Sequence, residues 1–250
     1  MSSNKFDQQQ YEKYWQEVHE KTGESLAAVC FPDKPLYFNL FFDRIQKWVV
    51  NKYLRSQQWT LRDQPLLDIG CGRGRWLAFF QQLYGARVTG IDLSPVAVES
   101  CRKQGFEAHV GSIEKMPFED ESFAVVTSIT VLLHLPYDLK QRAVGEIARV
   151  VKKGGRVLLL EGTWRDPSPH VFSLLVSEWE ALFAEVGLRM VHKSGHYFNI
   201  ARRHLPAWIP YRDRVAIYLD YPIEFALNYY FYGRETKIGL QHFMVFEKSL

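Results

Sequence analysis

From Leu66 onward the chain alternates between short β-rich runs and helical stretches, and no other property narrows its possible folds as much. The runs "PLLDIG", "ARVTGIDL", "FEAHVGS", "FAVVTSITVL" and "GRVLLLEG" are almost continuously apolar. A strand wetted on one face would alternate, so these runs predict a parallel sheet covered on both faces. Between them, "RGRWLAFFQQLYG", "SPVAVESCRKQG" and "DLKQRAVGEIARVVKKGG" read as crossover helices. Each closes on a glycine where a left-handed C-cap belongs. Beyond the fifth run, "HVFSLLVSEWEALFAEVG" reads as an amphipathic helix, followed by strand-like "LRMVHKSG" and, at the end, "GLQHFMVFEK". The expectation is an α/β chain whose sheet has seven strands, mostly parallel, with helices on both faces.

The flanks follow other rules. Residues 6–59 carry aromatic and apolar side chains at helical spacing: Tyr11, Tyr14, Trp15 and Val18 share one face, as do Phe41, Ile45, Trp48 and Val49. Two or three helices are expected, broken near Pro32 and Pro35. Residues 195–237 are dense in aromatics, from Tyr197 and Phe198 through Trp208 and Tyr211 to Tyr232, and are punctuated by Pro206, Pro210 and Pro222. That stretch is too long for a hairpin loop. The organisation read from the chain is an N-terminal helical cap (1–60), a core (61–194), an aromatic insertion serving as substrate cap or dimerisation element (195–237), and a final core strand (238–250).

Composition removes several function classes. With 31 basic and 28 acidic residues the formal net charge is +3, which gives no broad field to advertise nucleic acid as a partner. Cys30, Cys71 and Cys101 form an odd, widely spaced set without a C-x-x-C pair. That argues against a disulfide framework or a metal site and suits a reducing cytoplasm. The opening "MSSNKFDQQQYEKYW" lacks the apolar stretch of a signal peptide, and no apolar run approaches the roughly 20 residues of a membrane span.

The stretch "LLDIGCGRGRW" places Gly70, Gly72 and Gly74 directly behind the first strand. A bare backbone there lets amide N–H groups approach a ligand at the positive end of a helix, although glycines also serve tight strand-to-helix turns. The spacing is G-x-G-x-G, whereas a dinucleotide site wants G-x-G-x-x-G. Asp92, at the end of the next strand, stands where an acid takes the hydroxyl pair of a ribose, or merely caps the helix that begins at Pro95. Loop and acid together point to an adenosine-bearing ligand.

In order, Asp68-Ile-Gly-Cys-Gly-Arg-Gly74, Gly90-Ile-Asp92-Leu-Ser-Pro95, Met116-Pro-Phe118 with Ser122-Phe123, and Lys153-Gly-Gly155 resemble the class I S-adenosylmethionine-dependent methyltransferases, in particular their ubiquinone-biosynthesis-like subgroup acting on small molecules. The resemblance covers Leu66 to Gly162. It implies a Rossmann-like fold with an N-terminal helical lid, S-adenosyl-L-methionine as methyl donor and S-adenosyl-L-homocysteine as product. It also implies that Gly70, Cys71, Gly72 and Gly74 line the methionine moiety while Asp68 helps hold its amino group. Asp92 would take the ribose hydroxyls, with Leu93, Ser112, Ile113 and Ile129 toward the adenosine. Two positions depart from the family's pattern: Ser112 stands where an Asp is usual, and Ala124 follows Phe123 where an Asp is frequent.

Methyl transfer from a sulfonium is an in-line displacement, to which positioning contributes on the order of 7–11 kcal/mol. If the acceptor must lose a proton, a histidine near neutral pH is the usual agent. His134, just beyond the fourth strand, is the first candidate, or else a packed residue at a helix start. His170 and, more weakly, His196 follow. Glu161 closes the fifth strand, either to position a substrate or to bond loop amides. Tyr14 and Trp15 are expected to close over the cofactor or to be docked permanently. Tyr197, Trp208 and Tyr211 would wall an acceptor pocket for an apolar or aromatic metabolite, or form a homodimer interface. The leading reading is a small-molecule O-, N- or C-methyltransferase. Its rivals are an RNA or protein methyltransferase, an NAD-dependent dehydrogenase, and a catalytically silent scaffold that binds the cofactor.

Overall fold

The computed structural model describes residues 8–22, 34–57, 59–164 and 171–250, with only the backbone of 8–12, 22 and Asp213. Pro32, Cys30 and His170 lie outside the described residues. In chain order the elements are α1 (Gln8–Thr22), α2 (Leu36–Ser56), β1 (Pro65–Ile69), α3 (Arg75–Tyr84), β2 (Arg87–Asp92), α4 (Pro95–Lys103), β3 (Glu107–Val110) and β4 (Phe123–Ile129). They continue with α5 (Tyr137–Val150), β5 (Val151–Gly162), α6 (Val176–Ala184), β6 (Leu188–His196), α7 (Ile200–His204), α8 (Arg212–Tyr230) and β7 (Gln241–Lys248).

The sheet has seven strands in the order β3-β2-β1-β4-β5-β7-β6. β1 through β5 are parallel, while β7 runs antiparallel to both β5 and β6. The continuous apolar runs have the expected cause. Alternate residues of each strand enter opposite cores: Leu67, Val126, Val157 and Phe246 pack with α5 and α6, whereas Leu66, Val125, Leu158 and Val245 pack with α2, α3 and α4. Phe183 stacks on Phe246 at 4.1 Å between centroids. Truncating a buried ring of this kind costs about 3–5 kcal/mol.

Helix ends follow their local chemistry. Gly85 closes α3 at φ +66, and Gly105, at φ +86, follows the C-cap of α4. Ser94 accepts a hydrogen bond from Ala97 N–H at 3.3 Å and Pro95 occupies the first turn of α4, both helix-starting devices. Two expectations are corrected. Helix α5 has no glycine cap, because it passes straight into β5 through extended Val151; Gly154, at φ +70, instead bends β5 near the shift in its register with β4. Helix α6 starts only at Val176. Phe172 N–H is taken by Leu133 O at 2.7 Å, and Leu175, the N-cap, is extended.

A third apolar cluster joins the flanks: Phe38, Phe41, Phe42 and Ile45 of α2 pack with Tyr197 and with Ile217, Tyr221 and Phe225 of α8. Lys52 fastens the far end, its Nζ lying 4.9 Å from the ring centroid of Trp48, 4.1 Å from that of Tyr229 and 4.2 Å from that of Tyr232. Among the described residues no helix is long and apolar enough to cross a membrane.

Candidate active site

The carboxyl ends of β1, β2, β4 and β5 meet at one edge, where ligands of open α/β sheets bind. The turn out of β1 is left-handed three times over, with φ +64 at Gly70, +51 at Gly72 and +83 at Gly74. Only glycine adopts this region without strain. At Gly70 space forbids a side chain as well, since a Cβ would come within 2.5 Å of Val131 Cγ2. Asp92 organises the loop: Gly72 N–H donates to its Oδ2 at 2.8 Å and Ser94 N–H to its Oδ1 at 2.9 Å. Each oxygen keeps a second lone pair for a sugar hydroxyl. Cys71 turns its side chain inward, against Gly90 and Cys101, so it offers the loop only its backbone.

Asp68 is buried one strand away. Its Oδ1 accepts the Thr127 hydroxyl at 2.6 Å, across a pair set by the β1–β4 register. Burial pushes its carboxyl up to about 7, against the pull of Thr127 and the Arg75 cation. Arg75 in turn donates to Asp43 Oδ1 at 3.0 Å and Gln46 Oε1 at 2.9 Å, and its Nε has no hydrogen-bond partner among the described residues. Leu93 is half-buried beside Asp92, Ile113 and Ile129 are buried, and Ser112 is half-buried; its hydroxyl takes up Glu114 N–H at 3.4 Å.

The bend after β4 is strained. Thr130, a β-branched residue, sits at φ +57, where such side chains are outliers. Its N–H is held by Leu160 O at 2.7 Å. The following turn is pinned by Glu161, whose oxygens accept the N–H groups of Val131 at 3.1 Å, Leu132 at 2.9 Å and Leu133 at 3.2 Å. Burial raises the Glu161 carboxyl to about 7, opposed by those amides and by Lys140. Glu161 thus bonds loop amides, which holds the turn that ends in His134.

Helix α1 lies over this edge. Trp15 meets His134 edge to face at 4.8 Å between centroids, with Tyr14 against Trp15 at 5.2 Å. One turn on, the His19 carbonyl accepts Arg73 Nη2 from the glycine loop at 2.7 Å. Burial depresses the His19 imidazole; the charge of Asp92 opposes this and that of Arg73 adds to it. His19, Arg75, Thr127 and Thr130 were missed by motif reading. His19, four residues from Trp15, was within reach of helical spacing; the rest are set by strand register and side-chain reach.

The remaining candidates are placed elsewhere. Tyr197 is buried edge to face against Phe42 at 5.0 Å, and its hydroxyl is pushed up by burial. His196 is buried, with Nδ1 bonded to Asn228 Oδ1 at 2.9 Å. Trp208 and Tyr211 are 81% and 83% exposed, so as they stand they enclose nothing. A groove of about 420 Å³, lined in part by Lys47, Trp48, Arg75 and Phe79, opens between α2 and α3, and its lining includes no residue of the turn that bears His134.

Residues 67–159 match a family model described as a methyltransferase domain. The chain is 29% identical over 185 residues to the phthiotriol/phenolphthiotriol dimycocerosates methyltransferase of Mycobacterium leprae, covering 66% of this chain and 65% of that protein. It is 37% identical over 125 residues to the demethylmenaquinone methyltransferase of Chlorobaculum parvum, covering 49% and 51%. The chain therefore spans 65% or less of the length of these relatives. Among solved structures, the magnesium protoporphyrin IX methyltransferase of Synechocystis PCC 6803, with bound SAH, superposes with a TM-score of 0.66 over 97% of this chain and all of that one at 12% identity, a likeness of fold. Through this core, residues 67–159, the chain carries a methyltransferase domain and is similar to the class I S-adenosylmethionine-dependent methyltransferases.

Proposed function

We propose that the chain transfers a methyl group from S-adenosylmethionine to an oxygen, nitrogen or carbon of a small, apolar or aromatic metabolite. The observation that carries this is the Asp92 clamp: one carboxylate joins the left-handed glycine loop to the start of α4 and keeps lone pairs for a ribose. The two sequence relatives named above are, by their names, methyltransferases of phthiotriol dimycocerosates and of demethylmenaquinone, which supports an apolar substrate. A reducing cytoplasm suits Cys71 and Cys101, whose sulfurs lie 4.0 Å apart as free thiols.

When bound, the donor supplies an electrophilic methyl on a sulfonium. Around it, Gly70 and Gly72 present backbone, and Asp92 holds the ribose hydroxyls. Asp68, raised by burial to about 7, becomes fully ionised beside an ammonium group. Leu93, Ile113 and Ile129 face the adenine, with Ser112 offering a neutral hydroxyl. His134, oriented by Trp15 and by the turn that Glu161 pins, takes the acceptor's proton; where the acceptor loses none, it positions the acceptor. Helix α1 excludes water from the displacement.

Calorimetry with S-adenosylmethionine and S-adenosylhomocysteine tests the donor site. Micromolar binding is expected in the native chain, and Gly72→Val, which forces a β-branched side chain to φ +51, should bring it below detection. A labelled donor incubated with a metabolite extract then identifies the acceptor. His134→Ala should slow that turnover by about 100-fold while leaving donor affinity intact. Donor binding without any labelled product would instead make the chain a silent scaffold.

A further inference from the structure

Helix α8 is amphipathic in the inverted sense. Residues 216, 220, 224 and 228 fall on one line of its surface, and there Asp220, Glu224 and Asn228 are all buried, each at most 1% exposed. The opposite line carries Val215, Tyr218, Leu219 and Tyr229, all exposed, with Tyr218 at 71%. The buried polar groups have partners that explain them. Asp220 accepts the N–H groups of Ala201 at 2.6 Å and Arg202 at 3.2 Å, and Glu224 accepts those of Phe198 and Asn199. Asn228 bonds His196. Nothing in the described chain explains the outer face, where water meets leucine, valine and tyrosine.

Exposed arginines flank that face. Between residues 200 and 232, every described acidic side chain is buried, whereas Arg203 and Arg214 are exposed. Exposed Trp208 and Tyr211 precede the helix. The neighbouring N-terminal turns of α2, joined to α8 by Phe41 against Tyr221 at 5.9 Å, expose Leu36 and Leu40. A face that is apolar, rich in amphipathic rings and flanked by exposed arginines complements a layer that is apolar beneath and anionic on top. A second copy of the chain fits it poorly, since a two-fold contact would set an arginine-bearing surface against its own image.

We propose that the outer face of α8 docks the protein on the surface of an anionic lipid bilayer, with Tyr218, Leu219 and Tyr229 at headgroup depth and Arg203 and Arg214 on lipid phosphates. This association involves no membrane span and does not depend on the methyl-transfer reading, so its test contains no donor. The full chain is floated with vesicles of phosphatidylcholine alone and of phosphatidylcholine with one third phosphatidylglycerol. Binding is expected only to the anionic vesicles and should be lost at high salt. Arg203→Gln with Arg214→Gln should weaken it by about fivefold per arginine, and Tyr218→Ser with Leu219→Ser by about tenfold. All four positions are on the surface, so unchanged melting temperatures should accompany these losses. Failure of the native chain to float with anionic vesicles would overturn the proposal. So would equal binding by both double variants, or a dimer in solution that the Tyr218→Ser, Leu219→Ser variant dissolves.

Discussion

Two buried carboxylates in this molecule do the same local job with opposite outcomes. Asp92 bridges Gly72 and Ser94 amides at the mouth of the sheet's ligand-binding edge, and Glu224 bridges Phe198 and Asn199 amides beneath α8. The first clamp holds a loop of glycines whose backbone stays open to a ligand. The second is sealed, shares Asn228 as a further donor at 3.3 Å, and holds one piece of protein to another. A carboxylate on two amides is therefore not a functional signature by itself; what lies on its other side decides.

The widest separation of the two is expected from Glu224→Gln. Burial raises the Glu224 carboxyl from 4.5 to about 7, so between those values the folded chain holds a proton that the unfolded chain has released. The stabilisation from that proton is present below pH 4.5 and lost as pH rises through 7. Glutamine does not titrate, so the variant should gain on the native chain by up to about 3 kcal/mol between pH 4.5 and 8, read as the difference in their denaturant midpoints. Parallel pH curves would refute the sealed clamp.

Asp92→Ala should act on the ligand instead, weakening S-adenosylmethionine by about 1.5–3 kcal/mol, roughly 10- to 150-fold, in calorimetry. Wild-type affinity would erase the distinction between the clamps. The smallest effect belongs to Lys52→Met, which removes a cation from three rings and should lower unfolding free energy by about 0.5–1 kcal/mol, without touching donor affinity.

The sheet was legible because its strands are apolar on both faces, and the glycine loop because left-handed turns leave a compositional mark. Asp92 was legible because it ends a strand close behind that loop. The Glu224 clamp left no such mark: its amides lie 25 and 26 residues earlier, and they belong to ordinary residues. The pairing of Asp68 with Thr127 depends on which strands are neighbours, and β1 sits beside β4 rather than β3. Helix α8 was not legible within the aromatic insertion, because its buried line is chosen by the backbone amides of residues 198, 199, 201 and 202 that need acceptors. The missing cap of α5 is similar: Gly154 and Gly155 follow the helix in sequence but serve the strand.

The position of β7 between β5 and β6 has a consequence for how the molecule is made. β6 has no other neighbour in the sheet, so until residues 241–248 are available it has nothing to pair with, and the outer edge of β5 stays bare. Closure of the sheet thus waits until β6, α7 and α8 have all been made and β7 has followed them. A nascent chain stalled short of Gln241 would expose two open backbone edges, an invitation to chaperones and to aggregation.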